Sequence, residues 1–142
     1  FDNDIERMER VIPLFIRKIK NHEPITVYGE SKVLDFTYVD DCVDGIAKGV
    51  ELLVSGRDAN HTINLAYGQG NSLVTMAEFI GEALGIKPNM TIEPARGGEV
   101  THYGANIGKA RALLNYDPKT PLKEGIEKSV AWSTEWWEKN KK

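Results

Sequence analysis

The residues best suited to chemistry follow a short apolar run, at Ala95-Arg96-Gly97-Gly98-Glu99. A guanidinium on a glycine-rich loop can grip a phosphate or diphosphate through paired N–H bonds. Glu99 can then accept hydrogen bonds from a sugar diol. The same residues also suit a surface turn that holds one Arg–Glu pair. Loops carry both roles, and composition does not separate them.

Two further patterns look catalytic and fail on context. Gly68-Gln69-Gly70 falls between a predicted strand and a predicted helix. There a G-x-G-x-x-G cradle would bring backbone against a pyrophosphate. The third glycine position holds Leu73, so the segment reads as a flexible turn. Tyr28 and Lys32 have Y-x-x-x-K spacing. On a helix that spacing stacks the ammonium near the phenol and lowers its pKa. Here Tyr28 ends a predicted strand and Gly29 follows at once, so the two side chains do not stack. His22, His61 and His102 are scattered, with no HExxH or Cys-His spacing for a metal. A single Cys42 excludes an intrachain disulfide and a cysteine zinc cluster. No G-x-S-x-G nucleophile elbow occurs. Trp132, Trp136 and Trp137 read as a core or interface face, because no basic groove accompanies them.

The elements that must position these residues are legible from periodicity. Ile12, Phe15, Ile16 and Ile19 form a helical stripe over 12–20, with Pro13 in the first turn. Ile25-Thr26-Val27-Tyr28 reads as a strand ended by Gly29, and 34–38 as a second short strand. Asp40 and Asp41 are expected to cap a helix striped by Val43, Ile46, Ala47, Val50 and Val54. A strand is expected at 62–66 and a loop at 67–71. Ser72 caps a helix carrying Leu73, Met76, Ala77, Ile80 and Leu84, closed by Gly85. A strand over 90–94 leads into a loop over 95–104. Asn106 is expected to cap a helix reaching 114, and Thr120 the last helix, with Pro121 in its first position. Helices alternating with short strands argue for a mixed α/β or an α+β class.

The chain has 142 residues, 41% hydrophobic and 27% charged, which is enough for one core. It carries 18 Lys+Arg against 21 Asp+Glu, a net charge of -3. That balance gives no electrostatic reason to bind nucleic acid or an anionic membrane. No apolar run reaches the roughly 20 residues of a membrane span. The composition suits a cytoplasmic protein. The start, Phe1-Asp2-Asn3, has no initiator Met and reads as the interior of a longer protein.

Taken in order, several segments resemble one family. They are Val11-Ile12-Pro13-Leu14-Phe15-Ile16, Ile25-Thr26-Val27-Tyr28-Gly29, and Leu34-Asp35-Phe36-Thr37-Tyr38-Val39-Asp40-Asp41. Further along come Ile63-Asn64-Leu65-Ala66-Tyr67-Gly68, Pro94-Ala95-Arg96-Gly97-Gly98-Glu99, and Asp117-Pro118 with the last helix. Together they resemble the C-terminal, substrate-binding half of the extended short-chain dehydrogenases that act on nucleotide sugars. The UDP-glucose 4-epimerases are the nearest branch, with the dTDP-glucose 4,6-dehydratases beside them. The resemblance implies a Rossmann-type parent enzyme. In it an N-terminal half binds NAD and supplies the catalytic Tyr and Lys, while this half binds a UDP- or dTDP-sugar. No catalytic, cofactor-binding or metal residue is then expected in this chain.

The resemblance assigns substrate-binding roles by motif. Arg10 and Val11 approach the nucleotide, Thr26 and Tyr28 contact the base, Arg96 binds the diphosphate and Glu99 the ribose. Leu34 stands where the family commonly has a second diphosphate-binding Arg, which removes one clamp. The resemblance also implies that 39–66 packs on the Rossmann sheet of the missing half, and that the parent is a homodimer. Alone, this chain is expected to be inactive and to self-associate through the apolar stripe of 43–54. The alternatives are a stand-alone nucleotide-sugar-binding module and a 4,6-dehydratase parent.

Overall fold

The computed structural model describes residues 10–57, 60–95, 97–98 and 100–139. Arg96 and Glu99 lie outside the described residues. The elements in order are α1 (Val11–Lys20), β1 (Ile25–Tyr28), β2 (Val33–Asp35), α2 (Val39–Val54), β3 (Gly70–Ser72), α3 (Leu73–Leu84), β4 (Met90–Glu93), α4 (Gly108–Leu114) and α5 (Leu122–Lys139).

One core joins α1, β1, α3 and α5. Phe15, Ile16 and Ile19 of α1 meet Ile25 and Val27 of β1. Met76, Ala77 and Ile80 of α3 and Ile126 and Val130 of α5 complete it. The helices form because their apolar residues recur at three- and four-residue spacing and so reach one core together. Ser72 caps α3 as expected, its hydroxyl accepting the Thr75 amide at 2.9 Å. Gly85 ends α3 at φ 66°, a conformation that costs glycine nothing.

β1 pairs in parallel with β4, in register from Ile25–Met90 to Tyr28–Glu93. Ile25 and Val27 face the core, so the period of two turns Thr26 and Tyr28 to the opposite face. β2 pairs antiparallel with β3, and Val33 also bridges His102 on its other side. A second, smaller core holds Leu52, Ala66, Ile107, Ala110, Leu114 and Tyr116.

The structure corrects several expectations. β2 ends at Asp35, because the chain beyond it turns to begin α2. α2 starts at Val39 with Tyr38 as its N-cap residue. Asp40 and Asp41 lie inside its first turn, where they still oppose the positive end of the helix. Residues 62–66, expected as a strand, are irregular, since among the described residues no strand lies alongside to form a ladder with them. Gly70 and Asn71, expected in a loop, join Ser72 in a strand because β2 supplies the partner. Helix α4 begins at Gly108, and Asn106 instead accepts the Gly108 amide in a local turn at 2.8 Å. Pro121 stands just before α5, and Thr120 turns its amide and hydroxyl toward Asp41.

Candidate functional site

The site is built on the carboxyl ends of the β1–β4 ladder. Ends of parallel strands are where α/β folds place ligands, because the loops diverge there and leave a crevice. Thr26 and Tyr28 share the face away from the core, in register with Thr91 and Glu93. Thr26 is exposed and Tyr28 half-buried. The helix–strand turn at 21–24, with His22 at φ 57°, reverses the chain between α1 and β1. Arg10 and Val11 therefore stand at the end of α1 remote from that turn. Arg10 is exposed and its carbonyl accepts the Leu14 amide; Val11 is half-buried against the core.

Gly29 explains how the loop after β4 leaves the ladder. Its amide donates to the Glu93 carbonyl at 2.8 Å, and its φ is 84°. A Cβ at Gly29 would lie 3.1 Å from the Ala95 Cβ. Only glycine combines that dihedral with so close a neighbour. Ala95 thus lies beside the turn that ends β1. Farther along the chain, the Val33 amide donates to the Thr101 carbonyl and the Val33 carbonyl accepts the Tyr103 amide, both at 2.9 Å.

Leu34 lies in the β2–β3 ladder opposite Asn71 and packs on the main core. Its side chain is committed to packing.

Two carboxylates to which the sequence assigned no substrate-binding role organise the loops. The Asp35 carboxylate accepts the Tyr67 amide at 3.2 Å, the Gly68 amide at 2.9 Å and the Ala105 amide at 3.3 Å. Thr37 shares the Tyr67 amide at 3.1 Å. Asp41 accepts the Lys119 amide at 3.1 Å and the Thr120 amide at 2.9 Å. Burial pushes the Asp41 carboxyl upward. The two amides, the Thr120 hydroxyl and the Lys128 charge outweigh that and hold it below its ordinary value. Sequence spacing could not find these contacts, because each spans about 30 or more residues.

The glycine pair at 68 and 70 is no dinucleotide cradle. The Gly68 amide is taken by Asp35, and a Cβ there would sit 2.9 Å from Ile107. Gly70 lies within β3, where a Cβ would meet Val33 at 2.4 Å. Neither leaves room for a pyrophosphate, so these residues do not fit NAD. Tyr28 and Lys32 are separated by the Gly29 turn, not stacked on a helix. Among the described residues no group of His, Cys, Asp and Glu is placed to hold a metal ion. No helix among them is long and apolar enough to cross a membrane.

The three tryptophans divide. Trp137 packs on the main core with the Lys20 ammonium 5.0 Å from its ring. Trp132 and Trp136 stack on each other at 6.3 Å and stay exposed.

Helix α2 presents a continuous apolar stripe. Val39, Val43, Ile46, Val50, Leu53 and Val54 are each at least 53% exposed. Beside it lies a cavity of about 330 Å³ lined by residues that include Gly49, Leu52, Ile63 and Leu65.

This mixed α/β architecture matches the C-terminal portion of Rossmann-type epimerases. Residues 2–66 match the NAD dependent epimerase/dehydratase family, and the chain is a relative of the C-terminal part of its members. It is 33% identical over 122 residues to an uncharacterized UDP-glucose epimerase of Bacillus subtilis, covering 83% of this chain and 38% of that protein. An epimerase structure from Methanothermobacter thermautotrophicus is 32% identical with a TM-score of 0.81, covering 92% of this chain and 38% of that one. The UDP-glucose 4-epimerase of Thermotoga maritima, solved with UDP-glucose, is 25% identical with a TM-score of 0.77, covering 89% and 40% of the two chains. The chain therefore spans about two fifths of the length of the relatives it matches.

Proposed function

We propose that this chain is the nucleotide-sugar-binding half of an NAD-dependent UDP-sugar 4-epimerase. The observation that carries this reading is the end of the β1–β4 ladder. There Thr26 and Tyr28 share an outward face, and Ala95, which precedes Arg96 in the sequence, lies against Gly29 beside them. The solved relative that holds UDP-glucose supports the substrate class. In this reading Thr26 and Tyr28 receive the uracil and Arg96 clamps the diphosphate. Glu99 accepts the ribose diol, and Arg10 and Val11 close the nucleotide's other side. Leu34 supplies no second clamp, so Arg96 carries most of the diphosphate recognition.

NAD and the proton-transferring groups belong to a dinucleotide-binding half that precedes these residues in the parent. Residues 39–66 dock on the sheet of that half. The bare stripe of α2 and the unladdered segment beside it support this assignment. A helix that exposes so contiguous an apolar face ordinarily buries it against a partner. Isolated, the chain is without epimerase activity and self-associates through that stripe.

Calorimetric titration tests the reading. UDP and UDP-glucose are expected to bind the wild-type chain, and Arg96→Ala to weaken both at least tenfold. Tight binding by the isolated chain favours a stand-alone module, weak or absent binding favours an incomplete half-site, and binding that Arg96→Ala leaves unchanged overturns the nucleotide assignment. Turnover of UDP-glucose by the isolated chain with added NAD overturns the assignment of catalysis to another half.

A further inference from the structure

The exposed stripe of α2 has a period of its own. Val39, Val43, Ile46, Val50 and Leu53 follow one another at steps of four, three, four and three residues. That alternation is the seam of a coiled coil, narrower than the stripe a helix lays on a globular core. The residues beside the seam are small, with Cys42 and Gly49 on one flank and Ala47 on the other. A Cβ at Gly49 would meet no atom of the described residues within 4 Å. Small flanks let a second helix come close, since side-chain size at the contact sets the distance between axes. The opposite side of α2 is already occupied. Leu52 is buried in the smaller core, and Lys48 donates to the Asn115 carbonyl at 3.3 Å.

A seam of this period fits another helix of the same period, and α2 of a second copy supplies one. Six side chains between Val39 and Val54, each more than half exposed, present on the order of 100 Å² apiece. Two copies then bury about 1,200 Å², where specific, stable interfaces begin. Charge decides the direction. In a parallel pair the acidic first turns and the positive helix ends would lie side by side. In an antiparallel pair Asp40 and Asp41 lie toward the other copy's carboxyl end, just beyond which Arg57 is exposed. The seam is then self-complementary about a two-fold axis at its middle residue, Ile46, and Val43 faces Val50 of the partner subunit.

We infer that isolated chains pair as a symmetric antiparallel dimer through α2, with Ile46 on the two-fold axis. The inference deepens the self-association in the proposed function, and it rests on the reading that in the parent another half covers this stripe. It involves no nucleotide.

Sedimentation equilibrium of the 142-residue chain at micromolar concentration is the first test. A dimer with no larger species is expected. Ile46→Glu sets two carboxylates on the axis and is expected to weaken the dimer at least hundredfold. Its circular dichroism should match the wild type, because the side chain it replaces is exposed. Should Ile46→Glu fail to fold, Val50→Lys faces the same criterion. Direction is read by oxidative cross-linking in a Cys42→Ser background. Val43→Cys chains mixed with Val50→Cys chains are expected to link to each other in preference to themselves. Preferred linkage of position 43 to itself overturns the inference, as do open-ended assemblies or a dimer that Ile46→Glu leaves intact. A monomeric wild-type chain that binds UDP overturns the pairing alone. A wild-type dimer whose UDP binding Arg96→Ala leaves unchanged supports the pairing and overturns the nucleotide reading.

Discussion

Helices α1 and α2 carry equally clear apolar stripes, yet they meet opposite fates. In α1, Phe15, Ile16 and Ile19 are buried against β1, α3 and α5. In α2, Val43, Ile46 and Val50 are more than half exposed, and only Gly45 and Leu52 are buried. The contrast teaches that periodicity states which face of a helix is apolar, not what covers it. Around α1 the chain supplies its own partners. Around α2 it supplies only the small core built on Tyr116, and it leaves the opposite stripe bare.

The comparison can be broken most directly by truncation. Ile80→Ala in the main core is expected to destabilise the chain by about 2–5 kcal/mol, the usual cost of lost transfer energy plus a cavity. Val50→Ala on the bare stripe should change it by less than about 0.5 kcal/mol at chain concentrations low enough to keep it monomeric. Urea denaturation of both variants measures the difference. A large loss at Val50 would show that the α2 stripe is already buried in solution, as in a self-associated chain.

A smaller effect concerns the joint between the two regions. Asp41 on α2 accepts the amides that precede α5, which keeps its carboxyl below the ordinary 3.8. A depressed folded pKa contributes stability that is present above the unfolded value. That stability is lost as pH falls through the folded one. Thermal melts should therefore show a contribution that is complete above about pH 5 and fades below about pH 4, and Asp41→Asn should flatten that part of the profile. An unaltered profile in Asp41→Asn would show that the joint is held by other contacts.

The smallest effect sharpens the picture of the second core. Tyr116 is buried, and its hydroxyl has no hydrogen-bond partner among the described residues. Burial first, then the nearby Asp41 charge, pushes the phenol up to about 12, so it stays neutral at ordinary pH. Tyr116→Phe removes an unpaired polar atom and keeps the ring. It is expected to be neutral or to stabilise by up to about 1 kcal/mol, measured by denaturation. A clear loss would reveal a partner for the hydroxyl in solution.

Much of the fold was legible in advance. The stripes of α1 and α3, the β-branched run of β1 and the Ser72 cap are local features, each readable within a few residues. The strand at 62–66 was misread because its residue types suit a ladder that this chain does not provide. The reverse error occurred at Gly70–Ser72, whose residues lack strand preference and pair only because β2 lies alongside. The candidate site was legible in part. The outward face of Thr26 and Tyr28 follows from the period of two in β1. The roles of Gly29, Asp35 and Asp41 were not legible, since each depends on a backbone brought from far along the chain.

The sequence by itself determined which segments are amphipathic, where helix α3 is capped, and that a lone Cys42 has no partner for a disulfide within these residues. These are properties of residue type and short spacing. Only the tertiary structure decided which apolar stripe is buried, which glycines are turns instead of phosphate cradles, and which carboxylates hold loops. Burial and hydrogen bonding are relations between distant residues. No local pattern contains them until the chain has folded.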